Sequence, residues 1–181
     1  EVSGDFYDFF TLAGGRIAWG LGDVSGKGMN AAMLMAKTIS LFRCLGKTVQ
    51  DPAHLLAILN DEISETASRG MFVTMAAGVF DPASGEVVFA NAGHQPPLYR
   101  TRAGAYSELE ESSPPLGIVP GMAYTEQRLQ LDGGRLYIFT DGVTEGWAAE
   151  GRMLELFGLK ALLDKHSLLP PADQLARIAE A

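Results

Sequence analysis

Phe72-Val-Thr-Met-Ala-Ala-Gly-Val-Phe80, Asp81-Pro-Ala-Ser-Gly85 and Glu86-Val-Val-Phe-Ala-Asn91 decide the fold class. Two runs rich in β-branched, aromatic and small residues flank a turn-forming pentapeptide, the pattern of an antiparallel hairpin. Downstream, 98–102 and 106–109 flank Ala103-Gly104, and 125–131 and 135–141 flank Asp132-Gly-Gly134, so two further hairpins are expected. Upstream, strands are expected at 6–12 and 16–23 around Gly14-Gly15. Helical spacing then runs over 29–45, apolar nearly all round and therefore mostly buried. A second helix starts with Asp51 as N-cap and Pro52 at its first position. It carries Leu55, Leu56, Leu59 and Ile63 on one face and ends before Gly70. Further helix is expected at 154–165 and from Pro171 onward. Strands in hairpins and helices in pairs predict an α+β domain with antiparallel sheets rather than alternating βαβ units.

The 181 residues carry 22 acidic and 14 basic side chains, a net charge of −8. That balance argues against nucleic acid, which needs clustered Lys and Arg, and suits a site that holds cations. No linker or repeat divides the chain, so 1–181 reads as one domain. One cysteine, Cys44, permits no internal disulfide, so a reducing compartment or indifference to redox is expected. No apolar run reaches the roughly 18 residues of a membrane span, so no membrane contact is expected from this segment. The chain starts at Glu1 rather than Met, which suggests a piece of a longer protein.

Three Gly-Asp or Asp-Gly corners stand out: Gly4-Asp5, Gly22-Asp23 and Asp141-Gly142. Side chains two apart in a strand share a face. Asp5 shares parity with Tyr7 and Phe9, Asp23 with Ile17, Trp19 and Leu21, and Asp141 with Tyr137 and Phe139. Each carboxylate thus continues an apolar row that is expected to face the core. Carboxylates gathered there without partners would cost several kcal/mol, on the order expected for buried charge, so a hard cation with oxygen ligands is one reading. Ordinary turn pairs are the other.

The string Gly26-Lys27-Gly28 is not a P-loop, which would need glycine at Leu21 and Ser or Thr at Gly28. His54 and His166 read as surface residues of helices, and His94, in Asn91-Ala-Gly-His-Gln-Pro-Pro97, as a structural loop residue. Cys44, Met29, Met33 and Met35 are expected in the core.

Five motifs then fall in one order: Ser3-Gly-Asp-Phe-Tyr-Asp8, Gly22-Asp-Val-Ser-Gly-Lys-Gly28 with Ala31-Ala-Met-Leu-Met-Ala36, Asn91-Ala-Gly-His94 with Pro96-Pro97, Pro115-Leu-Gly117, and Thr140-Asp-Gly-Val-Thr-Glu145. Together they resemble the SpoIIE/RsbU-type bacterial serine/threonine phosphatases, a branch of the metal-dependent type 2C (PPM) phosphatases, from Glu1 to about Phe157.

The resemblance implies a four-layer α-β-β-α sandwich, two antiparallel sheets flanked by helix pairs. It implies two Mn²⁺ or Mg²⁺ ions, with Asp23 bridging them, the Val24 carbonyl completing one, and Asp5 and Asp141 supplying further carboxylates. Asp5, Asp23 and Asp141 would then be the catalytic residues, and Asp8 would act nearby through water. The implied reaction is attack of a metal-bridging water on phosphoserine or phosphothreonine of a STAS-type anti-sigma-factor antagonist. Ser25 stands where eukaryotic relatives have a histidine. An upstream sensor domain or response regulator in the same chain, acting through the paired helices, and a cytoplasmic setting are also implied; homodimerisation is left open. The family's closing strand with its Asp-Asp-x-Thr-type motif is not in the sequence and its first strand is missing before Glu1, so 1–181 reads as a fragment of the domain. The alternative class is a catalytically silent phosphatase-like module that binds a signalling partner.

Overall fold

The computed structural model describes residues 4–66, 70–110, 113–146 and 153–180, so Ser3 of the first motif lies outside the described residues. The chain divides into two compact units, Glu1–Ile138 and Phe139–Ala181. The first holds β1 (Asp5–Thr11), β2 (Ile17–Val24), α1 (Met29–Leu45), α2 (Pro52–Thr66), β3 (Val73–Asp81), β4 (Glu86–Ala92), β5 (Leu98–Arg100), β6 (Tyr106–Glu108), β7 (Gln127–Gln130) and β8 (Arg135–Tyr137). The second holds α3 (Asp141–Thr144), α4 (Glu155–Lys165) and α5 (Pro171–Ala179). The class is α+β with two antiparallel sheets, as the hairpins and paired helices predict.

The larger sheet has the order β1-β2-β3-β4-β7 and the smaller β6-β5-β8. The hairpins β1–β2, β3–β4 and β5–β6 form as expected. The third expected hairpin does not. β7 pairs with β4 in the larger sheet, whereas β8 pairs with β5 in the smaller one. The turn at Asp132-Gly133, with both residues at positive φ, therefore carries the chain from one sheet to the other.

Helices α1 and α2 cover one face of the larger sheet. The start of α2 is capped as its sequence predicts, with the His54 amide donating to Asp51 Oδ1 at 3.1 Å. Leu55, Leu56, Leu59 and Ile63 are buried against Met75, Ala77, Ala90 and Ala92 of the sheet. In α1 only the stripe Ala31, Leu34, Thr38 and Phe42 is buried. The expectation of all-round burial is thus corrected: Met29 and Met33 are 75% and 64% exposed, and Cys44 is exposed. Only Met35 of that group packs against the core. A helix laid on a sheet buries one stripe, whatever the composition of the rest.

The packing also sets which face of β2 is the inner one. Its buried row is Ala18, Gly20, Gly22 and Val24, while Ile17, Trp19, Leu21 and Asp23 are half-buried. The row is small because the space above it is taken. A Cβ at Gly20 would lie 2.8 Å from Met75 Cε and 3.0 Å from Phe42 Cζ.

In the second unit, α4 buries Leu159 and Leu163, and the buried Gln174 of α5 donates to Leu163 O at 2.9 Å. Among the described residues no helix is long and apolar enough to cross a membrane.

Candidate metal centre

Asp5 and Asp23 are register partners across β1 and β2, and Thr74 of β3 is the next residue in the same row. This places both carboxylates at one end of the sheet, on the face opposite α1 and α2. A carboxylate oxygen of Asp5 and one of Asp23 lie within 4.8 Å of each other. Asp5 is exposed and Asp23 half-buried. The expectation that these aspartates continue core-facing rows is corrected for β1, and in β2 the row that Asp23 continues is only half-buried. Tyr7 and Phe9, which share Asp5's face, are 71% and 64% exposed, while Phe6 points into the core.

Several bonds fix the chain on either side of Asp23. The Val24 amide donates to Gly4 O at 3.2 Å, and the Ser25 amide donates to Phe72 O at 2.9 Å. Ser25 Oγ accepts from the Phe72 amide at 2.7 Å. Beyond it, Gly26 and Gly28 take positive φ as the corner turns into α1. Thr74 Oγ1 sits 3.5 Å from Asp23 O, a long contact, and 3.1 Å from His94 Nδ1. His94 is buried and its backbone is held at both ends by Asn91. The His94 amide donates to Asn91 Oδ1 at 2.8 Å, and Asn91 Nδ2 donates to His94 O at 3.1 Å.

The structure therefore brings together Asp5, Asp23 and the backbone of Val24. The donor set is oxygen only, carboxylate and carbonyl, which fits a hard divalent cation. Asp141 belongs to the second unit. It is exposed and opens α3, its carbonyl accepting from the Glu145 amide at 2.7 Å. The strand parity read for it does not hold, because β8 ends at Tyr137.

Asp8 is corrected as well. Three residues from Asp5, it lies on the opposite face of β1. There it is engaged by Arg43 of α1, whose Nε donates to Asp8 Oδ2 at 2.7 Å. The Asp8 carboxylate raises the pKa of that guanidinium, and Arg43 also stacks 5.6 Å from the centre of the Phe10 ring. Sequence reasoning missed Gly4, Thr74 and the Ser25–Phe72 bridge. Only Gly4 had a signal, a glycine directly before an aspartate, and it read as a turn.

Comparison with known proteins gives a consistent picture. The model of the SpoIIE family, stage II sporulation protein E, matches residues 13–181. The chain is 31% identical over 192 residues to protein IcfG of Synechocystis sp., covering 91% of this chain and 30% of that protein. It is 30% identical over 168 residues to the phosphoserine phosphatase RsbU of Bacillus subtilis, covering 92% of this chain and 50% of RsbU. The chain thus spans half or less of the length of these curated relatives. The PP2C phosphatase domain of SpoIIE from Bacillus subtilis superposes with a TM-score of 0.79 at 22% identity, over 99% of this chain and 53% of that one, and shares the fold.

Proposed function

We infer the activity from one premise: the chain belongs to the SpoIIE family. On that premise the domain is a metal-dependent protein serine/threonine phosphatase acting in bacterial partner-switching signalling. The observation that carries the reading is the Asp5–Asp23 pair, two carboxylates brought together across β1 and β2 beside the Val24 backbone. Two carboxylates so placed beside a backbone carbonyl supply the all-oxygen donor set that a hard divalent cation takes.

Asp5, Asp23 and the Val24 carbonyl would hold Mn²⁺ or Mg²⁺, two ions in the intact domain, with Asp141 supplying a further carboxylate. Asp141 enters by its place in the Thr140-Asp-Gly motif. When bound, such ions lower the pKa of water to near neutrality and offset charge on phosphoryl oxygens. The protein's own part is to bind and orient. β1 and β2 present the two carboxylates, and the Ser25–Phe72 bridge fixes the corner behind them.

The substrate in this proposal is a phosphoserine or phosphothreonine residue on a STAS-type protein, and the similarity to a phosphoserine phosphatase supports the phosphoserine part of it. Control through an upstream domain of the same chain and a cytoplasmic setting belong to the same proposal. The test is release of phosphate from a phosphorylated STAS-type protein by the natural full-length protein, with and without Mn²⁺, beside an Asp141→Asn variant. Metal-dependent turnover lost in the variant is the expected result. Tight partner binding without turnover would replace the enzyme by a silent binding module.

A further inference from the structure

We propose that Gly4 is a positioning residue of this metal site: its missing side chain leaves the Asp23 carboxylate and the Val24 carbonyl open to one cation. The inference rests on the metal site proposed above.

A Cβ on Gly4 would fall 2.4 Å from Asp23 Oδ1 and 2.6 Å from Val24 O. Carbon and oxygen do not approach so closely without a bond. Both atoms that the methyl group would strike are oxygens assigned to metal binding. The approach distances alone exclude a side chain at this position. The requirement is for space.

Relief of the clash would dismantle the site by either route. The Asp23 side chain can rotate away, which withdraws its carboxylate. Val24 O cannot, because it is backbone fixed by Val24 N to Gly4 O and by Ser25 N to Phe72 O. The second route is therefore separation of residue 4 from Val24, which pulls the adjoining Asp5 off its partner. An alanine at position 4 should leave most of the fold in place and remove metal affinity.

Gly22 supplies the contrast. A Cβ there would be as crowded, 2.4 Å from Thr74 O and 2.6 Å from Phe6 Cζ, yet it points to the helix-covered face, away from the carboxylates. Crowding alone would make the two substitutions alike. Positioning makes them different.

The test is Mn²⁺ affinity by titration calorimetry for the wild-type chain, Gly4→Ala and Gly22→Ala, each beside its thermal melt. Gly4→Ala is expected to bind Mn²⁺ at least tenfold more weakly in a folded protein. Gly22→Ala is expected to lower Tm while its folded form binds Mn²⁺ within twofold of wild type. Wild-type affinity in Gly4→Ala overturns the role of Gly4 and leaves the metal site standing. Absence of Mn²⁺ binding in the wild-type chain overturns the site and the inference with it. Should Gly4→Ala not fold, paramagnetic broadening decides on the wild-type chain. Substoichiometric Mn²⁺ should broaden the Gly4 amide resonance while leaving Gly85, in the turn between β3 and β4, sharp. A sharp Gly4 resonance overturns the proposal.

Discussion

Asp5 and Asp23 face each other across the β1–β2 ladder, with carboxylate oxygens within 4.8 Å. Like charges directly opposite on antiparallel strands are destabilising by a few tenths of a kcal/mol to about 1 kcal/mol. Asp5→Asn removes that like-charge contact, and urea melts with and without Mn²⁺ test it. A bound cation reverses the sign. Mn²⁺ at a hundred times its Kd should stabilise wild type by about 2.7 kcal/mol and leave Asp5→Asn unmoved. A variant that Mn²⁺ stabilises as much as wild type would contradict a shared ion.

Asn60, with none of its surface exposed, ties α2 to the loop that follows Leu116. Its Oδ1 accepts from the Gly117 amide and its Nδ2 donates to Val119 O, both at 2.9 Å. Asn60→Leu keeps the volume but strands a backbone N–H and a carbonyl. The expected loss is about 3 kcal/mol in a urea melt, with Asn60→Asp in between.

Asn91 does for His94 what Asn60 does for the Gly117 loop, through one accepted and one donated bond. Asn91→Ala should cost about 2 kcal/mol and shift the ring resonances of His94, whose Nδ1 lies 3.1 Å from Thr74 Oγ1. Unmoved ring resonances would mean that the Gly/Pro-rich loop holds the histidine without Asn91.

Tyr124 is buried, and its hydroxyl has no hydrogen-bond partner among the described residues. Burial, followed by the charge of Asp61, pushes its pKa up to about 12. In the unfolded chain a tyrosine ionises near 10, as about 10 is its ordinary value. Its contribution to stability is thus complete below that pH and is lost as pH rises through the folded value. Tyr124→Phe should flatten the fall in stability between about pH 10 and pH 12. At pH 8 its Tm should equal or exceed that of wild type, since no hydrogen bond is lost. Thermal melts over this range check both.

Elements with a local signature were legible in the sequence. The Asp51 cap and Pro52 marked the start of α2, and the pentapeptide at 81–85 marked the β3–β4 hairpin. What depends on packing was not. Hydrophobicity pointed to the Ile17, Trp19 and Leu21 row as the inner face of β2, whereas the inner row is Ala18, Gly20, Gly22 and Val24. Phe42 and Met75 fill that space, so the strand had to give up its side chains where it is buried most deeply. In β1 both faces carry aromatic residues, and Phe6 and Phe10 take the core side, which leaves Tyr7 and Phe9 exposed. At the site, Asp5 and Asp23 were legible as residues, and their pairing needed the register of β1 and β2. Asp8 was misplaced because a motif says nothing about which face a side chain takes.

The turn at Asp132-Gly133 bears on the order in which the molecule is made. β7 can dock only after β4 exists, some forty residues earlier, and β8 must find β5 rather than its own neighbour in sequence. Such pairings close long loops before any contact rewards them, which slows folding. The local hairpins β1–β2 and β3–β4 are available early, and the two sheets are completed last, from opposite sides of one short turn. The acidic end of the sheet is thus assembled from the fast-forming part of the chain, ahead of the sheet-to-sheet crossing.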